Sequence, residues 1–192
     1  MMKNGPMPHH FKHRLEQVAL LAAFALFLST IEYMIPKPLP FIRLGLANLP
    51  ILIGLFLLDA PHLLLLVLLK VLGQGLVNGT LFSYIFLFSL FGSYAAALAM
   101  ITVKALCGRT VSAVGISVSG ALASNCTQLL LARIFVIGEG AWLIAPPFLG
   151  VGLVSSLALG LFAREFMRKS KWFAVQLGGP KEGWRKLNDA GP

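Results

Sequence analysis

The stretch LLLLVLLKVLGQGLVN, residues 63–78, combines a long apolar run with three regularly spaced polar side chains. Lys70, Gln74 and Asn78 stand four residues apart, which places them along one side of a helix while leucine and valine cover the rest. A lysine at the centre of a bilayer costs at least about 2.5 kcal/mol, so Lys70 is expected to face protein, water or a ligand. The stretch therefore predicts a membrane-spanning helix in a protein with a polar interior.

The composition of the whole chain is typical of an integral membrane protein. Of its 192 residues, 57% are hydrophobic and only 12% are charged, which is too apolar for an ordinary soluble domain. The net charge is +9, but twelve of the sixteen lysines and arginines lie at the two ends or at residues 104–109, beside apolar runs. Such residues attract anionic lipid headgroups and set orientation, so the charge indicates the bilayer, and not nucleic acid, as a partner.

Six apolar segments are predicted to cross the membrane and form an all-α bundle of six helices. The predicted spans are Leu15–Ile35, Leu44–Leu58, Leu63–Gly79, Leu81–Val103, Val111–Ile137 and Leu143–Ala163. The second is short and contains Pro50, which predicts a tilted, kinked or partly re-entrant helix. The first span is interpreted as retained, because it is longer than a typical signal peptide core and no cleavage site follows it.

Six crossings place both termini on one side of the membrane. The basic termini and the basic residues 104–109 favour the cytoplasmic side of a bacterial-type inner membrane. The predicted domains are a cytoplasmic segment at residues 1–14, the membrane domain at 15–168 and a cytoplasmic polar tail at 169–192. With this orientation, polar residues of several spans converge on the outer half of the membrane. The candidate ligand-binding residues are Lys70, Gln74, Asn78, Asn125, Gln128, Arg43, Asn48, Glu139 and Trp142.

Each candidate also has a purely structural interpretation. Lys70 can snorkel to the membrane surface or bind a carbonyl, the amides can hold helices together, and Trp142 can anchor at the interface. The charge balance of the outer half predicts the charge of the ligand. Lys37, Arg43, Lys70 and Arg133 outnumber Glu32 and Glu139 there, which favours an anionic ligand bearing a phosphate or carboxylate.

The residues needed for several kinds of catalysis are missing from the sequence. There is no G-x-x-x-x-G-K-[ST] loop for nucleotide hydrolysis. Asp59 and Asp189 are the only aspartates, so an aspartate-rich magnesium site cannot be built. Cys107 and Cys126 form no spaced set with histidine. No catalytic residue, metal site or cofactor is predicted, and an autonomous enzyme is not expected.

Four segments together are similar to a known family. They are RLGLANLP (43–50), KVLGQGLVNGTLFSY (70–84), GALASNCTQ (120–128) and GEGAWLIAPPF (138–148). They resemble the Gx transporter family, also catalogued as heptaprenyl diphosphate synthase component I, over about Arg14 to Arg168. That family is similar to the six-helix substrate-binding S components of energy-coupling factor (ECF) vitamin importers. The resemblance implies a coupling-subunit contact at Ala19 and Ala23, which have the spacing of small residues on the first helix of S components, and separate ATPases.

The preferred hypothesis is therefore a membrane subunit that captures a small, vitamin- or precursor-like, anionic molecule from outside for an ATPase-driven importer. The first alternative is a non-catalytic membrane accessory subunit of a prenyl (heptaprenyl) diphosphate synthase. The second alternative is a helix-packing scaffold whose buried polar residues are only structural.

Overall fold

The computed structural model describes residues 9–34 and 45–176, and within these residues the chain forms seven α-helices and no strand. The helices are α1 (His9–Met34), α2 (Leu49–Leu57), α3 (Ala60–Val77), α4 (Tyr84–Cys107), α5 (Ala113–Ala132), α6 (Ala141–Lys169) and α7 (Lys171–Gln176). Short helical turns are found at Leu46–Asn48, Gly108–Thr110, Arg133–Ile137 and Gly138–Gly140. The predicted all-helical class is confirmed.

Four helical segments in the described part of the chain are long and apolar enough to cross a membrane. They are Arg14–Met34, Ala60–Val77, Tyr84–Cys107 and Ala113–Lys169. This length and composition are those of a membrane-embedded protein. The count of six crossings stays a prediction, because the apolar helix over Leu46–Leu57 is shorter than the other candidate spans.

The fourth segment, Ala113–Lys169, contains α5 and α6 and folds back on itself. The backbone reverses near Gly138, whose φ of 54° lies in the region that favours glycine. Ser117 of α5 donates a hydrogen bond to the Ser156 carbonyl of α6 at 2.9 Å, and α5 and α6 pack along their length. The segment is thus an antiparallel helical hairpin.

Helix α2 is a half-length helix at the centre of the bundle. With the preceding turn it forms an apolar helix over Leu46–Leu57, about 18 Å long at 1.5 Å per residue. All of its residues except Phe56 are buried, and it contacts each of the five long helices. One interpretation of the sequence predicted that Pro50 kinks the second span, but the structure shows no long helix that Pro50 kinks. Pro50 stands in the first turn of α2, where the missing proline N–H breaks no helical hydrogen bond.

The long helices surround α2 in an order that brings distant parts of the sequence together. Helix α1 packs on α3, α3 on α4, α4 on α5 and α5 on α6. The predicted tail after residue 169 begins with α7. Phe173 of α7 is fully buried, and Gln17 of α1 donates a hydrogen bond to Gln176 at 2.6 Å. The first part of the tail is therefore packed against the membrane domain.

Candidate functional site

Lys70 is the charged residue around which the candidate site is built. It lies on α3, and its side chain is buried, with 2% of the residue exposed. Its Nζ donates hydrogen bonds to Asn48 Oδ1 at 2.8 Å and to Ser93 Oγ of α4 at 3.0 Å. Lys70 therefore faces the protein interior, and it connects α3 with α4 and with the turn that leads into α2.

Glu32, near the end of α1, holds the other side of that turn. Its two carboxylate oxygens accept hydrogen bonds from the backbone N–H groups of Gly45 at 3.1 Å and Ala47 at 3.5 Å. Gly45 has a φ of 83°, which suits glycine and begins the Leu46–Asn48 turn. Because the first N–H groups of a helical turn lack internal partners, a carboxylate is a favourable acceptor there. Glu32 and Lys70 thus fix this turn from opposite sides.

These groups line a polar cavity between α1, α3, α4, α5, α6 and the turn before α2. Its volume is about 30 Å³, which suffices for about two water molecules. The lining residues are Glu32, Gly45, Ala47, Asn48, Lys70, Ser89, Ser93, Ala121, Ser124, Asn125, Gln128, Gly152 and Ser155. A vitamin-sized molecule requires a larger cavity than this one.

Two amides of α5, Asn125 and Gln128, lie one turn apart on its cavity side. Gln128 is 3% exposed; its Nε2 donates to Ser124 Oγ at 3.0 Å, and its buried Oε1 has no partner among the described residues. Asn125 is 5% exposed, and its side-chain amide makes no hydrogen bond within the described part of the chain. A buried polar group that lacks a partner costs roughly 1–3 kcal/mol. The cavity therefore offers hydrogen-bonding capacity that water or a ligand can satisfy.

Glycines on the neighbouring helices make room for these amides. A Cβ at Gly152 of α6 would overlap the Asn125 side chain, and one at Gly92 of α4 would lie 2.8 Å from Gln128 Nε2. Both contacts are shorter than ordinary van der Waals contact, so a Cβ at either position would require the neighbouring amide side chain to shift.

Not all of the predicted ligand-binding residues reach this cavity. Asn48, Lys70, Asn125 and Gln128 line it. Gln74 is buried and does not line the cavity, but it accepts a hydrogen bond at 3.3 Å from Ser89, which does. Asn78 is half-buried at the end of α3 and does not line the cavity either. Each step of four residues turns about 40° around a helix, so Asn78 lies roughly 80° from Lys70. The three residues are equally spaced in the sequence, but their side chains therefore leave the helix in different directions.

Glu139 and Trp142 belong to a separate, exposed cluster at the turn between α5 and α6. Arg133 donates to Glu139 Oε1 from Nε at 3.2 Å and from Nη2 at 2.6 Å, and its guanidinium lies 5.4 Å from the centre of the Trp142 ring. Arg133 thus connects Glu139 and Trp142. Arg43 lies outside the described residues.

The described lining of the cavity carries no surplus of either charge. Among the described lining residues, Lys70 and Glu32 carry one formal charge of each sign, so the sum is zero. Arg133 is paired with Glu139 away from the cavity, and Lys37, like Arg43, lies outside the described residues. An anionic ligand therefore gains no net attraction from the described lining.

Several lining residues were not among the predicted site residues. Glu32 carried a recognisable signal, because it is a lone carboxylate deep in the first apolar run. Ser89 and Ser93, four residues apart on α4, form a short polar stripe that the sequence also displays. Gly152 and Ser155 had no such signal, since the direction of α6 depends on how α5 and α6 pack.

The arrangement can bind a small polar molecule, and it shows no metal-ligating cluster in the described part of the chain. No group of three or more histidine, cysteine, aspartate or glutamate side chains converges within residues 9–34 and 45–176.

The predicted coupling contact lies away from the cavity, because Ala19 and Ala23 are both exposed on the outer surface of α1.

Comparison with known proteins identifies a family. The family model described as "Heptaprenyl diphosphate synthase component I" matches residues 21–166, which include α2 to α5 and most of α1 and α6. No curated protein matches the chain. No solved structure matches it either, so the likeness to ECF S components has no structural support from this comparison. Since the family match covers most of the chain, the protein belongs to the heptaprenyl diphosphate synthase component I family.

Proposed function

We propose that the protein is the substrate-binding membrane subunit of a small-molecule importer that is energised by separate ATPase subunits. The observation that carries this proposal is the polar cavity inside an apolar bundle, with Lys70 and two incompletely bonded amides in its lining. A buried acceptor that has no protein partner and lies in a polar cavity supports a binding site, because a bound molecule can supply the missing donor.

The proposed topology has six crossings, with α2 and its preceding turn as the short second one. Both termini face the cytoplasm of a bacterial-type cell, and the membrane domain extends over residues 15–168. Lys104 and Arg109 then lie on the cytoplasmic side, in agreement with the positive-inside rule. Asn48 comes before the inward-running α2, so the cavity lies in the outer half of the membrane and opens outward.

The coupling subunit is proposed to bind the exposed face of α1. Ala19 and Ala23 are small and exposed there, which allows a partner helix to approach closely. Ala22 is buried, so it belongs to the packing within the bundle.

Affinity purification of the full chain from its native membrane tests this proposal. The expected result is recovery of a coupling subunit and ATPases with the wild type, and their loss from an Ala19→Leu, Ala23→Leu variant. A matched Leu20→Ala variant, which changes an exposed residue between them, controls for the general effect of altering this face. Recovery without any ATPase subunit would contradict the importer.

The second candidate function is a non-catalytic membrane accessory subunit of a prenyl (heptaprenyl) diphosphate synthase. The family description favours it, because it names a component of such a synthase. In this case the same purification recovers a soluble prenyl synthase. Adding the membrane protein in nanodiscs then raises the activity of that synthase.

A further inference from the structure

A second, more apolar cavity adjoins the polar one. Its volume is about 20 Å³, and it shares Gly45, Asn48 and Ala121 with the first cavity. The remaining lining residues are Leu49, Leu52, Met100, Ser117, Ser156 and Leu159.

Both serines of this second cavity have partners within the protein. Ser117 donates to the Ser156 carbonyl at 2.9 Å, and the Ser156 hydroxyl donates to the Leu153 carbonyl at 2.8 Å. The leucines and Met100 supply its remaining surface. The two adjoining cavities thus offer a polar compartment and a more apolar one, which we call the polar end and the apolar end.

The polar end specifies the chemistry of a ligand through Gln128. Its buried Oε1 is an acceptor, so a ligand that satisfies it must bring an N–H or O–H donor. An ionised carboxylate has only acceptors and cannot do so. The nearby Asn125 amide can donate to a carbonyl oxygen and accept a further hydrogen bond.

The electrostatics of the polar end point the same way. The single positive charge of Lys70 is accompanied in the lining by the carboxylate of Glu32. The Lys70 ammonium group also has hydrogen-bond partners of its own in Asn48 and Ser93. An added anion would lose its hydration, and the described residues of the lining offer it no net positive charge in return.

We propose, on the assumption that the cavity is the binding site of the function proposed above, that its ligand is neutral and amphiphilic. One end carries an N–H or O–H donor beside a carbonyl oxygen, as in a lactam or cyclic imide, and contacts Gln128 and Asn125. An apolar arm a few carbon atoms long occupies the second cavity beside Met100 and Leu159. This ligand class differs from the anion that the charge balance of the sequence predicts.

Four related probes test the inference on the full chain in nanodiscs. They are a lactam with a propyl arm, its N-methyl derivative, the same lactam without the arm, and an open-chain carboxylate of equal carbon number. Binding is measured by ligand-detected NMR titration. The lactam with the arm should bind best. N-methylation should weaken binding about tenfold, the effect of one lost hydrogen bond to a buried group. The wild type should discriminate in this way, and Gln128→Leu should not.

A Thr127→Val variant is the matched control, because Thr127 is adjacent to Gln128 but donates locally to the Ala123 carbonyl at 2.8 Å. It should retain the discrimination, and a single elution peak verifies that each variant is folded. The inference is overturned if the carboxylate binds as tightly as the lactam, if N-methylation has no effect, or if neither lactam binds. Native mass spectrometry separates this outcome from failure of the proposed function. A retained anion would contradict the neutral ligand but not the importer function. Absence of both a retained molecule and ATPases would contradict the importer function itself.

Discussion

At the scale of single residues, the protein uses its buried charges to fix a turn. Lys70 bonds Asn48, and Glu32 bonds Gly45 and Ala47, so both ends of the Leu46–Asn48 turn are held. Charged groups inside a membrane protein are tolerated where they find such partners. The same groups line the cavity.

Replacing Lys70 by Met should destabilise the protein by about 2 kcal/mol, because Asn48 and Ser93 each lose a charge-assisted hydrogen bond. In a double-mutant cycle with Glu32→Gln, the combined loss should be smaller than the sum by about 1 kcal/mol, since both residues act on one turn. Unfolding in mixed micelles by SDS titration measures these differences. Leu72→Met, at a half-exposed position on the same helix, is the control. Strict additivity would contradict this coupling.

Sequence reasoning identified part of the site because helical spacing reports direction over one or two turns. It found Lys70, and it placed Asn125 and Gln128 on the side of α5 that the structure buries. The predicted stripe on α3 included Asn78, whose side chain leaves the helix in a different direction from that of Lys70, because each step of four residues turns about 40°. The partners of Lys70 are contributed by α4 and by the turn before α2, and no local pattern specifies which serine a lysine will reach.

At the scale of helices, glycines on α6 decide how closely it approaches α5. Gly160 faces backbone, since a Cβ there would lie 2.8 Å from Val114 Cα. Gly152 faces the Asn125 side chain, and Gly150 faces open space. These three positions on one helix thus separate three effects of the same substitution.

Gly160→Ala should force α5 and α6 apart and destabilise the protein by about 1–3 kcal/mol, because backbone atoms cannot move aside. Gly152→Ala should instead displace Asn125 and weaken binding of the retained or added ligand more than it lowers stability. Gly150→Ala should be neutral or slightly stabilising, as alanine favours helix more than glycine does. SDS unfolding and ligand titration provide the two readouts. Equal effects of all three substitutions would contradict the different surroundings that the structure gives Gly150, Gly152 and Gly160.

The carboxyl end of α2 depends on basic side chains from other helices. Lys104 of α4 donates to the Leu55 carbonyl at 2.6 Å and lies 4.8 Å from the centre of the Phe56 ring, and Arg14 of α1 donates to the Leu57 carbonyl. These groups satisfy carbonyls that a helix end leaves unpaired. The sequence marks α2 as short, but it does not say which side chains cap it.

Lys104→Met should therefore destabilise the protein by about 1–2 kcal/mol, through loss of the hydrogen bond, the helix-end attraction and the contact with Phe56. Lys104→Arg should retain most of the stability, because arginine can still donate. Lys169→Met removes the same charge from an exposed position and should have little effect. Thermal unfolding in nanodiscs compares the three variants, and equal melting temperatures for Lys104→Met and Lys169→Met would rule out the capping role.

At the scale of the whole molecule, the apolar runs predict a helical membrane protein, which the structure confirms. They cannot predict that a half-length helix lies at the centre with the long helices around it. Lateral order depends on packing between distant segments, such as Gly152 on Asn125, and a single sequence does not display it. The side of the membrane that each end faces rests on the distribution of basic residues alone.

Two natural cysteines test the proposed topology. Cys107 is exposed at the end of α4, next to the basic residues that are assigned to the cytoplasm, and Cys126 is exposed in the middle of α5. A membrane-impermeant maleimide should label Cys107 in inside-out vesicles and not in right-side-out vesicles. Cys126 should stay unlabelled in both, because it faces lipid. Single-cysteine variants separate the two sites, and labelling of Cys107 from outside would reverse the orientation.

Native mass spectrometry of the gently extracted full chain tests the central claim most directly, namely that the polar cavity binds a small molecule. The wild type and Thr127→Val should retain an adduct of one constant mass. An Asn125→Leu, Gln128→Leu variant of unchanged elution profile should lose it, because the unpartnered Gln128 Oε1 and the Asn125 amide that lines the cavity are gone. The same adduct on the double variant, or no adduct on repeated wild-type preparations, would contradict a ligand in this cavity.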